Sequence, residues 1–196
     1  FIGLMNTKAS ELGCKESNFA NPHGYHDDNH YTTAYDMSLI AQACMEYDII
    51  AEAARETKFS GNSAGNQKYN VDGKTAEYTW YSHNELITNG ANHYEYATGI
   101  KTGFTDQAGD CLAASATKDN ENLIAIIMNS EDPGRWQDAK ILFDWAFENY
   151  DMIEYRQSGV AATAKLSGHN RLKGDTAEIK IEENMSAYLT ADELCF

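Results

Sequence analysis

The chain has 196 residues, and its 15 Lys and Arg against 30 Asp and Glu give a formal net charge of −15 at pH 7 and a pI near 4.6. This acidity argues against nucleic acids and anionic lipid surfaces as partners, because their phosphates would repel the chain. A hydrophobic content of 42% with only 2 Pro excludes a disordered or collagen-like chain.

The N-terminal part of the chain predicts three helices and a loop. Helical spacing of apolar residues predicts a first helix over Phe1–Leu12, which ends before Gly13. Thr33 is placed to cap a second helix that runs to Cys44, and a third helix is predicted from Asp48 to Glu56. The polar segment Ser60–Asn66 contains two glycines and predicts a loop. The apolar face expected for the first helix comprises Phe1, Leu4, Met5, Ala9 and Leu12.

The middle of the chain predicts β-strands followed by one strong helix. Candidate strands lie at Tyr78–Tyr81 and Tyr96–Thr105. Two apolar runs, Asp110–Lys118 and Leu123–Asn129, predict a hairpin that is buried on both faces. The helix is predicted from Gly134 to Tyr150, and its expected buried stripe comprises Trp136, Ala139, Leu142, Phe143 and Ala146.

A change of character near residue 151 predicts a second module. Strand-like pieces such as Ala177–Glu182 alternate there with Gly-Asn and Gly-Asp turns. We therefore expect an α+β fold for residues 1–150, an antiparallel sheet with helices packed on it, and the beginning of a small all-β domain in residues 151–196.

The triplet Lys101-Thr102-Gly103 is the sharpest chemical feature of the sequence. It lies on a predicted strand, where Gly103 would let a ligand backbone approach closely. The ammonium of Lys101 and the hydroxyl of Thr102 suit a carboxylate or a developing oxyanion. The triplet alone is a weak signal, since a strand with a solvent-facing lysine and a bulge glycine would look the same.

The context of the triplet resembles the low-molecular-mass penicillin-binding proteins, which are serine-type D-alanyl-D-alanine carboxypeptidases. Lys-Thr-Gly is the third motif of penicillin-binding proteins and class A β-lactamases. The resemblance extends from Phe1 to about Tyr150 and is carried by ordered, spaced segments. These are Met5-Asn6 with Lys8-Ala9 and Leu12-Gly13, Phe19 with Asn21-Pro22-His23-Gly24, Thr33-Ala34-Tyr35-Asp36-Met37, Lys101–Thr105 with Ala108-Gly109 and Cys111–Ala116, and Gly134-Arg135 with Asp138-Ala139-Lys140.

The resemblance implies hydrolysis of the terminal D-Ala of peptidoglycan stem peptides through an acyl-serine intermediate. It implies catalytic positions at Lys101, Thr102 and Gly103, and substrate-binding positions at Phe104, Thr105 and Arg135. The backbone N–H of Phe104 would serve the oxyanion hole. Many relatives have histidine at that position, so the resemblance gives the Phe104 side chain no role. No metal and no organic cofactor are expected, because acyl transfer needs a nucleophile, a base and oxyanion donors.

The family's first two motifs, which carry the nucleophilic serine and its lysine, have no convincing counterpart in this sequence. Ser115-Ala116-Thr117-Lys118 fits Ser-x-x-Lys by letters but lies on a predicted strand, where positions i and i+3 point to opposite faces. Ser60-Gly61-Asn62 and Ser82-His83-Asn84 fit Ser-x-Asn but lie downstream of the family's position. We therefore expect a piece of a longer protein that works only with an N-terminal segment, and that is inactive alone.

Other clusters are open to more ordinary interpretations. His23, His26 and His30 with Asp27 and Asp28 could hold zinc, but turn and capping roles are favoured. Trp80, Tyr81, Trp136 and Trp145 could form a sugar-stacking surface, but core packing is favoured. The four cysteines Cys14, Cys44, Cys111 and Cys195 contain no Cys-x-x-Cys pair, which favours free, mostly buried thiols over zinc.

The resemblance also implies where the parent protein works and what it contacts. Its substrate ends in D-Ala-D-Ala, β-lactams would inhibit the full-length protein, and the location would be extracytoplasmic. No apolar run in the sequence approaches the roughly 20 residues of a transmembrane helix. Two alternatives remain open, a non-catalytic homologue that binds peptidoglycan or a partner protein, and a β-lactamase relative.

Overall fold

A computed structural model describes residues 1–64, 71–72, 74–156, 159–165, 176–181 and 185–189, with the last three ranges and residues 151–156 described as strands only. It divides the chain into two compact units, Phe1–Asp144 and Trp145–Phe196. The helices are α1 (Ile2–Glu11), α2 (Ala34–Met45), α3 (Asp48–Arg55) and α4 (Gly134–Asn149). The strands are β1 (Lys58–Asn62), β2 (Glu77–Tyr81), β3 (Ala97–Thr105), β4 (Gly109–Lys118), β5 (Glu121–Ser130), β6 (Asp151–Arg156), β7 (Gly159–Lys165), β8 (Thr176–Ile181) and β9 (Met185–Leu189).

The centre of the first unit is an antiparallel three-stranded sheet in the order β3-β4-β5. Helices α2 and α3 pack against it, α2 on β5 and β4 and α3 on β3. A separate antiparallel hairpin, β1-β2, precedes the sheet. This mixture of helices and antiparallel strands confirms the α+β prediction. In the second unit, β6 pairs with β9 and β7 pairs with β8, both antiparallel.

The core of the first unit follows from the alternation of β4. Leu112, Ala114 and Ala116 are all buried, as expected for residues that share one face of a central strand. Ser115 is buried as well, so the middle of β4 is covered on both faces. On β5 the deeply buried residues are only Ala125 and Ile127. The prediction of a hairpin buried on both faces is therefore right for the middle of β4 and wrong for β5.

The aspartate of α2 organises the N-terminal end of that helix. Thr33 caps α2 by accepting a hydrogen bond from the Asp36 N–H at 3.2 Å, as predicted. The carboxylate of Asp36 is buried and accepts from the Ser17 hydroxyl at 2.6 Å and from the Glu16 N–H at 2.8 Å. Chiefly because of the Ser17 hydrogen bond, the pKa of Asp36 lies below its ordinary value.

Helix α4 is tied to the segment before β3 by aromatic and polar contacts. Trp136, Ala139 and Phe143 are buried as predicted, but Leu142 is 46% exposed. The ring of Phe143 stacks on Tyr94, whose hydroxyl donates to Asp144 at 2.7 Å. Burial and that carboxylate raise the pKa of Tyr94 above its ordinary value. The predicted stripe is therefore too wide, since Leu142 is exposed and Ala146 is only half-buried.

Two further expectations about the N-terminal part are wrong. Segment Ser60–Asn66 is predicted as a loop, but residues 60–62 belong to β1. Ser63 and Ala64 lie in a bend and a turn, as a loop would, and residues 65 and 66 lie outside the described residues. Helix α1 has the predicted extent, and Gly13 adopts a φ of +91° at its end. Its apolar face is not covered, however, since Phe1 and Leu4 are exposed and only Ala9 is buried.

Among the described residues, no helix is both long enough and apolar enough to cross a bilayer.

Candidate active site

Strand β3 carries the Lys101-Thr102-Gly103 triplet at the margin of the central sheet. Lys101 lies opposite Ala113 of β4, and Gly103 lies opposite Cys111. Within the described sheet β3 has a strand neighbour on one side only, so its other edge offers backbone N–H and C=O groups to a ligand. An added Cβ at Gly103 would meet nothing closer than the Cβ of Cys111, at 3.9 Å. The triplet is therefore approachable along the outer edge of β3.

The triplet lines a mostly apolar cavity of about 600 Å³. Lys101, Thr102 and Gly103 form part of its wall, together with residues that include Met37 of α2 and Cys111 of β4. The ammonium of Lys101 is exposed and donates one hydrogen bond, of 2.7 Å, to the backbone carbonyl of Thr102. This arrangement leaves two of the three ammonium hydrogens for an anionic ligand.

Lys101 and Thr102 also line a second cavity, of about 300 Å³. Its other walls include Ser82, His83 and Asn84, which follow β2. These three residues fit Ser-x-Asn but follow the family's position for that motif, so no part in the site is expected for them. The structure nevertheless brings them to the triplet. The order of motifs along the chain therefore does not predict which residues lie near the triplet. The match of Ser82-His83-Asn84 to Ser-x-Asn is the sequence signal that could have identified these residues.

The residues after the triplet face a different concavity. Phe104 and Thr105 line a cavity of about 360 Å³ together with His23 and His26. The Phe104 side chain is exposed. The predicted substrate-binding pair Phe104 and Thr105 thus lies on the same strand as the triplet, but its side chains belong to another part of the surface.

The remaining predicted site residue, Arg135, is engaged within the chain. Its guanidinium donates to the carboxylate of Asp110, and a second nitrogen lies 3.8 Å from Asp132. The guanidinium carbon also lies 4.5 Å from the centre of the Trp136 ring. Asp110 lies opposite Phe104 in the sheet register, so this ion pair is placed beside the end of β3. Asp110 is 25 positions from Arg135, so no local sequence pattern indicates this partner.

The two remaining serine motifs lie in β-strands. Ser115 is buried on β4, and its hydroxyl is 2.8 Å from that of Thr98. Lys118, the other residue of this Ser-x-x-Lys match, ends the same strand and its ammonium lies over the Tyr96 ring. Ser60 lies on β1, with its hydroxyl 3.1 Å from that of Thr79. Ser115 and Lys118 thus lie on a strand, as expected, and not on one face of a helix.

The histidine-rich segment makes local turn contacts, as the sequence analysis favoured. The Nδ1 atom of His30 accepts from the Ala20 N–H, and that of His23 accepts from the Tyr25 N–H, both at 3.2 Å. Asp27 accepts from the Asn29 N–H at 2.8 Å, which is an Asx-type turn. Of the cysteines, Cys14, Cys44 and Cys111 are free but half-buried rather than mostly buried, and Cys195 lies outside the described residues.

Comparison with known proteins identifies relatives of this site and fold. The model of the peptidase S11 family, described as D-alanyl-D-alanine carboxypeptidase, matches residues 1–132. D-alanyl-D-alanine carboxypeptidase DacF of Bacillus subtilis is 34% identical over 169 residues, which cover 85% of this chain and 40% of the relative. DacA of Escherichia coli is 33% identical over 193 residues, which cover 97% of this chain and 42% of the relative. The chain thus spans about two fifths of the length of these relatives.

Solved structures give the same result for the fold. Penicillin-binding protein 5 from Haemophilus influenzae matches with a TM-score of 0.74 at 23% identity, over 98% of this chain and 52% of that protein. The Streptomyces K15 DD-transpeptidase matches with a TM-score of 0.65 at 26% identity, over 75% of this chain and 53% of that protein. These matches confirm the family resemblance on which the site residues were expected. The chain belongs to the peptidase S11 family of D-alanyl-D-alanine carboxypeptidases.

Proposed function

We propose that the protein to which this chain belongs is a serine-type carboxypeptidase that removes the terminal D-Ala of peptidoglycan stem peptides through an acyl-serine intermediate. The observation that carries the proposal is the placement of the Lys101-Thr102-Gly103 triplet on an accessible strand edge, in a chain of the peptidase S11 family. A cation and a hydroxyl at such an edge suit the carboxylate at the end of a peptide.

Each site residue has a defined part in this proposal. Lys101 and Thr102 bind the terminal carboxylate and support acyl transfer, and Gly103 lets the peptide backbone approach β3. The backbone N–H of Phe104 donates to the oxyanion that develops in the tetrahedral intermediate. Thr105 extends the binding edge. We assign the nucleophilic serine and its base to another segment of the protein, and we give no catalytic role to Ser82, although it lines the same cavity as Lys101.

Arg135 acts in the carboxylate pocket through its position at the beginning of α4. A guanidinium at a helix N-terminus is electrostatically unfavourable, because the helix dipole favours anions there. Asp110 and Asp132 offset that cost and hold the guanidinium beside the end of β3. We propose that Arg135 belongs to the carboxylate pocket and that Asp110 fixes the position of its guanidinium.

The domain division and the location belong to the same proposal. Residues 1–150 are the C-terminal portion of the catalytic domain, and residues 151–196 begin a β-rich domain. Stem peptides lie outside the cytoplasmic membrane, so the parent protein works extracytoplasmically. Its partners are the stem peptide that ends in D-Ala-D-Ala, the β-lactams that mimic it, and the segment of the same protein that supplies the serine.

The test compares the full-length protein with this chain. Release of D-Ala from diacetyl-L-Lys-D-Ala-D-Ala is measured, together with covalent labelling by a fluorescent penicillin. We expect release and labelling for the full-length protein and neither for the 196-residue chain. Labelling of the chain alone would contradict the assignment of the serine to another segment. Absence of both signals in the full-length protein would favour a non-catalytic binder, and rapid penicillin hydrolysis would favour a β-lactamase.

A further inference from the structure

The hairpin β1-β2 presents a row of aromatic side chains, which we call the aromatic shelf and define as Phe59, Tyr78 and Trp80. Phe59 pairs with Trp80 and Gly61 pairs with Tyr78 across the hairpin, so all three rings lie on one face. The Phe59 and Trp80 ring centres are 5.8 Å apart with 29° between the ring planes, and those of Tyr78 and Trp80 are 5.7 Å apart with 22°. The rings thus form a nearly continuous stacked surface.

This surface is open, contrary to the core packing that the sequence favoured for Trp80 and Tyr81. Of the shelf rings, Trp80 is 54% exposed and Phe59 63%, and Tyr78 is half-buried, while the exposed Tyr81 lies on the opposite face of the hairpin. Trp136 is fully buried as predicted. Contiguous exposed aromatic area is unfavourable in water and marks a binding surface more often than an isolated apolar residue does. Gly61 contributes to the flatness, because an added Cβ there would lie 3.2 Å from the Phe59 ring.

The shelf continues into the cavity of about 300 Å³ that Lys101 and Thr102 also line. Phe59, Trp80 and Tyr81 form one side of this cavity, and the triplet residues form another. Its volume is at the lower end of the range for small-ligand pockets. A ligand bound at the triplet would therefore contact the hairpin if it carried a second group of the right shape.

Asn84 lines the same cavity and has an unused hydrogen-bond donor. Its side chain is only 3% exposed, and its Oδ1 accepts from the Leu86 N–H at 3.1 Å. Its Nδ2 group is buried and has no hydrogen-bond partner among the residues that the structure describes. A buried amide without a partner is unfavourable, and a ligand carbonyl or hydroxyl would satisfy it.

We propose that this cavity is a carbohydrate subsite that binds an N-acetylated sugar ring of the peptidoglycan glycan strand. A pyranose ring has a face of C–H groups that packs on stacked aromatic rings, and its acetamido carbonyl accepts a hydrogen bond from Asn84 Nδ2. Nucleic acid bases also stack on aromatic side chains, but a chain with a net charge of −15 repels their phosphates. The inference rests on the proposed function, because peptidoglycan is the polymer that combines such sugars with peptides for the triplet.

Calorimetric titration of the full-length protein with the tetramer of N-acetylglucosamine tests this subsite. We expect saturable binding that Trp80→Ala weakens by about threefold to tenfold, the effect of losing one aromatic stacking contact. Trp145→Ala is the matched control, since Trp145 is a similarly exposed tryptophan on α4, and we expect it to leave binding unchanged. Absence of binding, or equal weakening by both substitutions, would overturn the proposal.

A second comparison tests the role of Asn84. A glucose tetramer lacks the acetamido groups, so it should bind the unaltered chain more weakly than the acetylated tetramer. Asn84→Asp keeps the acceptor for Leu86 and removes the Nδ2 donor, so it should abolish this preference. The thermal unfolding midpoint shows whether Asn84→Asp is folded. If this variant does not fold, the comparison of the two sugars with the unaltered chain alone decides whether the acetamido groups are recognised. Equal binding of both sugars would contradict the donor role.

The peptide arm separates this inference from the proposed function. Diacetyl-L-Lys-D-Ala-D-Ala carries no sugar, so binding of this peptide that depends on Trp80, with no sugar binding, would assign the hairpin to the stem peptide and overturn the carbohydrate subsite. Sugar binding by a protein that fails to release D-Ala would leave the subsite standing and refute the proposed activity.

Discussion

The guanidinium of Arg135 donates to the carboxylate of Asp110 and so joins the beginning of α4 to the beginning of β4. Both side chains are largely buried, with 14% and 18% of their surfaces exposed. The Nε atom of Arg135 is buried without a partner among the described residues, so the pairing with Asp110 and Asp132 leaves one guanidinium donor unsatisfied. Breaking this ion pair is therefore expected to lower the free energy of unfolding more than breaking an exposed ion pair would.

We expect Asp110→Asn to lower the free energy of unfolding by about 2 kcal/mol, because it leaves a partly buried guanidinium without its main counter-charge. Urea unfolding of the chain measures this change. Asp138→Asn is the matched control, since Asp138 is exposed on α4, the helix that carries Arg135. This substitution should change the free energy of unfolding by less than about 0.5 kcal/mol. Equal effects of the two substitutions would mean that the Asp110 pair contributes no more than a surface contact.

Lys101→Ala should slow acylation of the full-length protein by fluorescent penicillin by roughly 100-fold, the usual effect of losing one electrostatic contributor to acyl transfer. Lys118→Ala is a suitable control, because Lys118 ends the next strand and lies over the Tyr96 ring. Stopped-flow measurement of the acylation rate distinguishes the two variants. An effect of Lys101→Ala below twofold would remove this lysine from the site.

Gly103→Ala should leave stability nearly unchanged while reducing acylation about tenfold or more. The structure has room for the added methyl group, whose nearest neighbour would be the Cβ of Cys111 at 3.9 Å. The reduction is expected because the methyl group projects from the strand along which the peptide would lie. A variant with full acylation rate would show that the ligand does not approach β3 at this residue.

Gly109→Ala, unlike Gly103→Ala, should lower the free energy of unfolding, by about 1–3 kcal/mol. Gly109 has a φ of +66°, and an added Cβ would lie 2.8 Å from Asn129 Oδ1 and 3.2 Å from the Ser130 carbonyl oxygen. Both the backbone conformation and the crowding therefore require glycine at the beginning of β4. Thermal unfolding of the Gly103 and Gly109 variants side by side measures the contrast, and equal midpoints would refute it.

The contribution of Asp36 to stability should depend on pH. Its pKa is lower in the folded chain than in the unfolded chain, so the stabilisation is fully present above the unfolded value, near pH 4, and is lost as the pH falls through the folded value. Asp36→Asn should therefore be less stable than the unaltered chain at pH 7, with a smaller difference at pH 3. A difference that does not vary with pH would exclude the ionised carboxylate as its source.

The elements that the sequence predicted well are those whose signals are local. Thr33 caps α2 because its hydroxyl and the Asp36 N–H are three residues apart, and the β4-β5 hairpin follows from two apolar runs with a short polar turn. The Lys-Thr-Gly triplet was recognised because its flanking segments occur in the family's order. Such features need no knowledge of what the rest of the chain covers.

The predictions that failed concern burial and distant contacts. Periodicity identifies an apolar face but not the partner that covers it, so Leu142 and the first helix were wrongly expected to be buried. Strand β1 was missed because its polar residues and Gly61 are typical of loops, whereas pairing with β2 makes it a strand. The partnership of Arg135 with Asp110 joins residues 25 positions apart, and no local pattern announces it.

Lys101 and Thr102 line both the smaller and the larger cavity, and this has a practical consequence for inhibitor discovery. A compound bound in the larger, mostly apolar cavity near Met37 would contact the same two residues as a compound bound beside the hairpin. Fragments that bind the two cavities independently could therefore be linked covalently across Lys101. The linked compounds would be inhibitors without a β-lactam ring.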